Sequence, residues 1–128
     1  AASDVYKRQT QDKESHSLSI LDNQFESMQH GDSPFPCAYY VDNYKNGNDS
    51  YPWHWHEELE IAYVSQGEIN AFINGEHYLL HEGEGCFINR KILHSYSGQA
   101  AHRSLFPNIL FPLLCCTVHR TVCFGKNM

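Results

Sequence analysis

Asn74-Gly75 stands between two short alternating segments, residues 68–73 and 77–80. A two-residue hairpin turn needs positive φ at both central positions, and Asn followed by Gly supplies it, so this pair is the strongest short-range signal for an antiparallel hairpin. The same texture continues on both sides. Residues 59–65 (Leu-Glu-Ile-Ala-Tyr-Val-Ser) end at Gln66-Gly67, and Gly83 and Gly85 punctuate the next turn. Further short strands are expected at 86–88 and 92–96, and an earlier one at 35–44 around Ala-Tyr-Tyr-Val. A polar loop rich in Asn, Asp and Gly covers 43–50.

Short strands with turn signals every eight to twelve residues predict an all-β fold, a sandwich or a barrel. An immunoglobulin-type sandwich would bring a Cys-Trp-Cys spacing, which the chain lacks. A jelly-roll barrel deals with exposed strand edges and suits the pattern better. The chain has 128 residues, enough for one modest core. Its 41% hydrophobic content is that of a folding sequence, and the net charge of −6 repels phosphate, so direct DNA contact is not expected of this piece.

The ends differ from the middle. Residues 1–30 form a polar leader without sustained hydrophobic period, and no signal peptide is visible in it. The longest apolar run, 105–118, is too short to cross a bilayer and contains Pro107 and Pro112. The expectation is a cytoplasmic protein with no membrane partner. Five cysteines, with Cys37 and Cys86 far from the rest, do not suggest a disulfide framework. Asp4-Val5-Tyr6-Lys7-Arg8-Gln9 resembles a translated transposase-end adapter, which would make residues 1–9 a processing scar. Cys115, Cys116, His119 and Cys123 have zinc-type side chains, but their spacing matches no zinc pattern. A reading-frame shift accounts better for residues 111–128.

The densest chemistry is Trp53-His54-Trp55-His56-Glu57-Glu58-Leu59-Glu60. Alternate residues of an extended strand share a face, so His54, His56 and Glu60 are expected to point the same way. Trp53 and Trp55 are expected on the opposite face, and Glu57 and Glu58 on a solvated rim. His94, on a later strand, can approach across the barrel. Three imidazoles and one carboxylate can hold one divalent transition metal (Fe, Mn, Ni or Zn) with positions left for water or ligand.

The pattern His54-x-His56-x-x-x-Glu60-x-x-x-x-x-x-Gly67 resembles the first cupin motif. Gly83 and His94 have the spacing of the second, with Asn89 and Lys91 standing where that motif has Pro and Gly, and Gly98 where it ends in Asn. The words Pro52-Trp53-His54-Trp55-His56-Glu57-Glu58, Ile61-Ala62-Tyr63-Val64-Ser65-Gln66-Gly67, Ile73-Asn74-Gly75 and Ile88-Asn89 resemble the sensor domain of AraC-like transcription regulators. The resemblance is densest over 34–110. It implies a cupin-type double-stranded β-helix over residues 31–110, incomplete at the C-terminus. In a shifted frame the codons of 115–118 begin with Leu and then Tyr or His, and those of 123–128 are compatible with Phe-Trp-Gln-Lys-Tyr, resembling what such sensors carry just past this point.

The resemblance implies an effector-binding and dimerisation domain. The effector would be a small molecule such as a sugar, the full-length protein a homodimer, and DNA would be touched only by a missing C-terminal pair of helix-turn-helix units. On this reading His54, His56, Glu60 and His94, with Ala62 and Val64, line a ligand pocket that needs no metal and no catalysis. The alternative is a stand-alone metal-dependent cupin enzyme, a dioxygenase or isomerase, using His54, His56, Glu60 and His94 as metal ligands. A third reading is a metal-free metabolite-binding module without a regulatory partner.

Overall fold

A computed structural model describes residues 20, 22–26, 37–112 and 122–124. The adapter-like segment, most of the polar leader and residues 113–121 lie outside the described residues. Nine strands follow in order: β1 (Ala38–Tyr44), β2 (Ser50–His54), β3 (Leu59–Tyr63), β4 (Glu68–Ile73), β5 (Glu76–His81), β6 (Gly85–Ile88), β7 (His94–Gly98), β8 (Ser104–Phe111) and β9 (Val122–Phe124). The expected all-β fold is observed, with no helix among the described residues.

The strands form two antiparallel sheets, ordered β1-β8-β3-β6-β9 and β2-β7-β4-β5. The chain changes sheet at most connections, as a jelly roll does, so that no sheet is built from neighbours in sequence alone. The exception within the smaller sheet is the β4–β5 hairpin, whose turn residues Asn74 and Gly75 have φ of 50° and 83°. The hairpin signal therefore reports a real turn, and the positive φ values are its physical content.

Alternation builds the core. β1 and β4 each present every second residue inward. Tyr44, Ala62, Val64, Ile69, Ala71, Cys86, Ile88 and Phe106 are wholly buried between the sheets. Ser104 stitches the layers, donating from Oγ to the Glu68 carbonyl at 2.7 Å and accepting the Glu68 N–H at 3.1 Å. Gly67 (φ 77°) passes so close that an added Cβ would lie 2.6 Å from the Arg103 carbonyl oxygen and from Ser104 Oγ.

Three strand expectations shift. The strand expected from residue 92 begins at His94, because Ile92 and Leu93 still belong to the turn. The apolar run beginning at Leu105 supplies all but the first residue of β8, which pairs with both β1 and β3. Most consequential, residues 53–60 are not one strand. The chain leaves the smaller sheet at His54 and enters the larger one at Leu59.

Candidate functional site

Each member of the His/Glu set arrives by its own local device. His54 closes β2 opposite His94. In β2 the register slips between Tyr51 and His54, so that two residues of β2, Pro52 and Trp53, stand opposite one of β7, Ser95. This bulge reverses the inside–outside phase. Tyr51 and His54, an odd number apart, both point inward and are buried, while Pro52 and Trp53 face solvent. Pro52 offers no N–H to the ladder and is tolerated there.

His56 sits in the crossing between sheets. Its carbonyl accepts the Lys91 N–H at 2.7 Å, tying the crossing to the turn before β7. Lys91 adopts φ 62° at the position where the second cupin motif has Gly, so the turn keeps the left-handed geometry that glycine takes without strain. That turn delivers His94 to the site despite the departure from the motif. Glu60 comes from β3, between Ile88 of β6 and Leu110 of β8. The common facing of His54, His56 and Glu60 is observed, by a bulge, a crossing and a second sheet.

The four side chains are buried, each 3% exposed or less, and their ligand atoms lie within 4.8 Å of one another. All three rings are held by Nδ1 on a backbone carbonyl: His54 on Pro52 at 2.9 Å, His56 on Glu58 at 3.1 Å and His94 on Ile92 at 2.7 Å. A neutral ring donating from Nδ1 carries its lone pair on Nε2. Yet Nε2 of His56 and Nε2 of His94 lie 3.1 and 3.2 Å from the same Glu60 Oε2. Lone pairs aimed at a carboxylate repel unless a cation lies between them. Either protons on the rings or a metal ion supplies it.

The donor set fits a metal. Carbonyl-anchored histidines presenting Nε2 are the usual second layer of support for metal-ligating imidazoles. Two ligand atoms at right angles about an ion, each about 2.1 Å away, stand about 3 Å apart, close to the separations seen here. Three nitrogens and one oxygen suit Fe, Mn, Ni or Zn.

The electrostatics follow the same geometry. Burial opposes the Glu60 charge, but hydrogen bonds from His56 and His94 overcome it and hold this carboxyl well below the usual carboxylate range. Burial lowers His56, and Glu60 more than compensates, leaving it raised. For His54 the pull of Glu26 and Glu60 does not compensate. Burial, and then repulsion from His94, push it down to about 3, so it is a neutral imidazole at ordinary pH.

Beside Glu60 and His54 lies a half-open cavity of about 20 Å³, room for about one water molecule. Tyr40, Asp42, Asn108 and Leu110 wall it from β1 and β8, Tyr51 and Tyr96 from β2 and β7. The remaining wall is Glu26, from a segment outside the barrel strands. Glu26 accepts the Tyr51 hydroxyl and its N–H bonds to the Trp55 carbonyl at 2.9 Å. Trp55 in turn packs against Phe25 at 4.7 Å and donates Nε1–H to the Asn23 carbonyl. Asn108 donates to Asp42 at 3.1 Å, and Tyr96 to Glu60 Oε1 at 2.8 Å. Burial and nearby carboxylates push Tyr40 up to about 12 and hold Tyr51 and Tyr96 well above the usual phenol range, so all three stay phenols.

Ala62 and Val64 lie in the apolar core and do not line this cavity. Trp53 faces outward and Trp55 is half-buried under the 22–26 segment. Glu57 is exposed and reaches Lys91 at 3.5 Å, as a rim residue would. Glu26, Tyr40, Asp42, Tyr51, Tyr96 and Asn108 were not among the expected site residues. Tyr40, Asp42 and Tyr51 do alternate correctly within or beside expected strands, but their convergence depends on long-range pairing.

Comparison with known proteins locates this arrangement. A family model described as AraC-like ligand binding domain matches residues 40–104. The HTH-type transcriptional regulator YdeC of Bacillus subtilis (strain 168), itself uncharacterized, is 34% identical over 76 residues, covering 59% of this chain and 26% of that protein. The chain thus spans about a quarter of that relative's length. A predicted oxalate decarboxylase from Thermotoga maritima superposes with a TM-score of 0.56 at 25% identity, covering 59% of this chain and 66% of that one. Salicylate 1,2-dioxygenase from Pseudoaminobacter salicylatoxidans gives 0.54 at 15% identity, over 58% and 22% of the two chains. These two structures identify the barrel as a cupin fold.

Proposed function

The chain belongs to the AraC-like ligand binding domains, and from that membership we propose that it is the effector-sensing and dimerisation part of a transcription regulator. The observation that carries this reading is the group of polar side chains around the small, half-open cavity beside Glu60. Its walls supply phenolic donors, an amide and three carboxyl groups, Glu26, Asp42 and Glu60. Hydroxyl-rich ligands match such a lining because each hydroxyl both donates and accepts. Anionic effectors would meet three carboxyl groups, so a neutral sugar or similar polyol is the preferred class. DNA contact would belong to a further part of the protein, as the HTH-type name of the relative suggests. Sensing then needs only a coupling free energy between the cavity and that part, and no chemistry.

The experiment is calorimetric titration of the chain with a panel of neutral monosaccharides and sugar acids. A neutral sugar that binds the wild type and fails to bind Tyr96→Phe and Asp42→Asn supports the reading. Exclusive binding of sugar acids, or of none of the panel, overturns the preferred class.

A second reading has its own observation, the three carbonyl-anchored histidines facing one glutamate. His54, His56, Glu60 and His94 would hold a divalent metal acting as a Lewis acid. The residues around it would orient a substrate through Tyr51 and Tyr96 hydroxyls and exclude water through burial. Turnover by metal-loaded protein of a hydroxylated aromatic acid or of a small dicarboxylate would establish an enzyme instead of a sensor.

A further inference from the structure

An aromatic row crosses the outward face of the smaller sheet. Trp53 of β2 meets Phe72 of β4 with ring centroids 6.1 Å apart, tilted by 56°, and Phe72 stacks on His77 of β5 at 4.6 Å. The row passes above Ser95 of β7, which pairs with Phe72 and stands opposite the Pro52–Trp53 bulge. Without that bulge, alternation would turn the residue after Pro52 inward. Trp53 is instead 38% exposed. Outward, β7 carries only Ser95 and Ser97, both smaller than their neighbours across the sheet. The result is an open groove of about 250 Å³ beside the aromatic row, bordered by Ser50, Pro52, Trp53, Phe72, Ser95 and Ser97.

The groove has a definite chemistry. No residue that lines it is charged, in a chain of net charge −6. Ser95 is only 8% exposed, and among the described residues no group pairs with its hydroxyl or with those of Ser50 and Ser97. A nearly buried hydroxyl without a protein partner is a polar group placed for something else to bond. We propose that this groove binds one ring of a neutral carbohydrate, its C–H face on the Trp53 indole and its hydroxyl edge on Ser95 and Ser97. A pyranose presents both surfaces at once, a face of C–H groups that packs on an aromatic and an edge of groups that donate and accept. A charged ligand would lose its hydration and find no counter-charge. A flat heteroaromatic would need two parallel rings about 7 Å apart, twice the contact distance, and Trp53 and Phe72 are tilted and closer. The volume suits one ring, since pockets for drug-sized ligands begin at roughly 300 Å³. The groove lies outside the sheet whose inner face carries His54 and His94, so it is separate from the cavity beside Glu60 and does not rest on the regulator reading.

The test is calorimetric titration of the full chain with methyl glucoside, methyl galactoside and methyl mannoside, and with adenosine as a flat aromatic probe. Trp53→Ala removes the platform, Trp53→Phe keeps a ring, Ser95→Ala removes one hydroxyl, and Leu79→Ala changes an exposed apolar residue outside the groove. Circular dichroism checks the fold of each. One stacked ring is expected to bind at about 1 mM. Trp53→Ala should weaken it at least about tenfold, Trp53→Phe should recover most of that, and Ser95→Ala should cost about threefold to tenfold. Leu79→Ala should change nothing. No glycoside bound at about 20 mM, well above that constant, overturns the proposal. Adenosine binding tighter than every glycoside also overturns it, as does a glycoside whose affinity Trp53→Ala and Ser95→Ala leave intact. Should Trp53→Ala fail to fold, Ser95→Ala decides alone by the same criterion. A glycoside lost in Asp42→Asn and kept in Trp53→Ala sits in the cavity, which removes the groove and leaves the sensor reading intact. One lost in Trp53→Ala and kept in Asp42→Asn supports the groove.

Discussion

Tyr96 and Glu60 belong to opposite sheets, and the hydroxyl of the first donates to Oε1 of the second at 2.8 Å across the core. The bond does two things. It closes the cavity wall between β7 and β3, and it satisfies the carboxylate oxygen that the histidines do not reach. Tyr96→Phe leaves that buried oxygen unpaired and is expected to cost about 1–3 kcal/mol. Urea denaturation of the two proteins at pH 7 measures it. A loss within about 0.5 kcal/mol, the usual size of a surface substitution, would show that the bond contributes nothing net.

Acid should weaken the metal-free protein. His54 has a folded pKa of about 3 against 6.5 for the free side chain, so the unfolded state binds the extra proton between those values. Its contribution is fully present above pH 6.5 and is lost as pH falls toward 3, at up to about 1.4 kcal/mol per pH unit. Glu60, lowered, adds loss in the same direction below its ordinary value of 4.5. His56, raised, acts oppositely: its contribution is present below 6.5 and fades as pH rises through its folded value. The expected profile in chelator is a melting temperature that falls steadily below pH 6.5. In His54→Gln the slope between pH 6.5 and 4 should flatten, and an unchanged slope would contradict the assignment.

Metal occupancy is separable from effector binding. If the four ligands act together, Mn(II) or Zn(II) at about a hundred times its dissociation constant stabilises the chain by about 2.7 kcal/mol. His94→Ala, which removes a ligand and its Ile92 anchor, should abolish that shift. A shift that survives in His94→Ala would place the metal elsewhere.

Two left-handed positions should respond oppositely to exchange of side chains. Gly67→Ala forces a Cβ to within 2.6 Å of the Arg103 carbonyl and Ser104 Oγ at φ 77°, and a loss of about 2 kcal/mol or more is expected. Lys91→Gly relieves a strained φ of 62° at the cost of chain entropy, and should be neutral to within about 1 kcal/mol. Thermal melts of the two variants decide it, and a Gly67→Ala protein as stable as the wild type would refute the close approach.

The His/Glu set was legible in the sequence because its spacing is local, but the reason behind the spacing was not. One strand with alternating faces would bring His54, His56 and Glu60 together, and so does a bulge followed by a change of sheet. Only the fold distinguishes these routes. The walls from Asp42 and Asn108 were out of reach for a different reason. Their meeting depends on the β1–β8 register, a pairing of residues 66 positions apart that no local pattern encodes. Glu26 lies in a stretch without hydrophobic period, and its place in the cavity wall depends on distant Trp55 and Tyr51 as well as on a bridge to Ile20. Ala62 and Val64 share the inward face of Glu60 but lie farther along, where that face has become apolar core.

The extra residue in β2 separates two inward side chains by an odd number of positions. Deleting one codon from the Pro52–Trp53 stretch would restore a regular ladder and, with it, the ordinary alternation of faces. Tyr51 and His54 would then stand two apart and still both point inward, with one residue between them facing solvent. Comparisons that align relatives across this stretch without allowing for the insertion would assign cavity positions to the wrong columns, even where the surrounding letters agree.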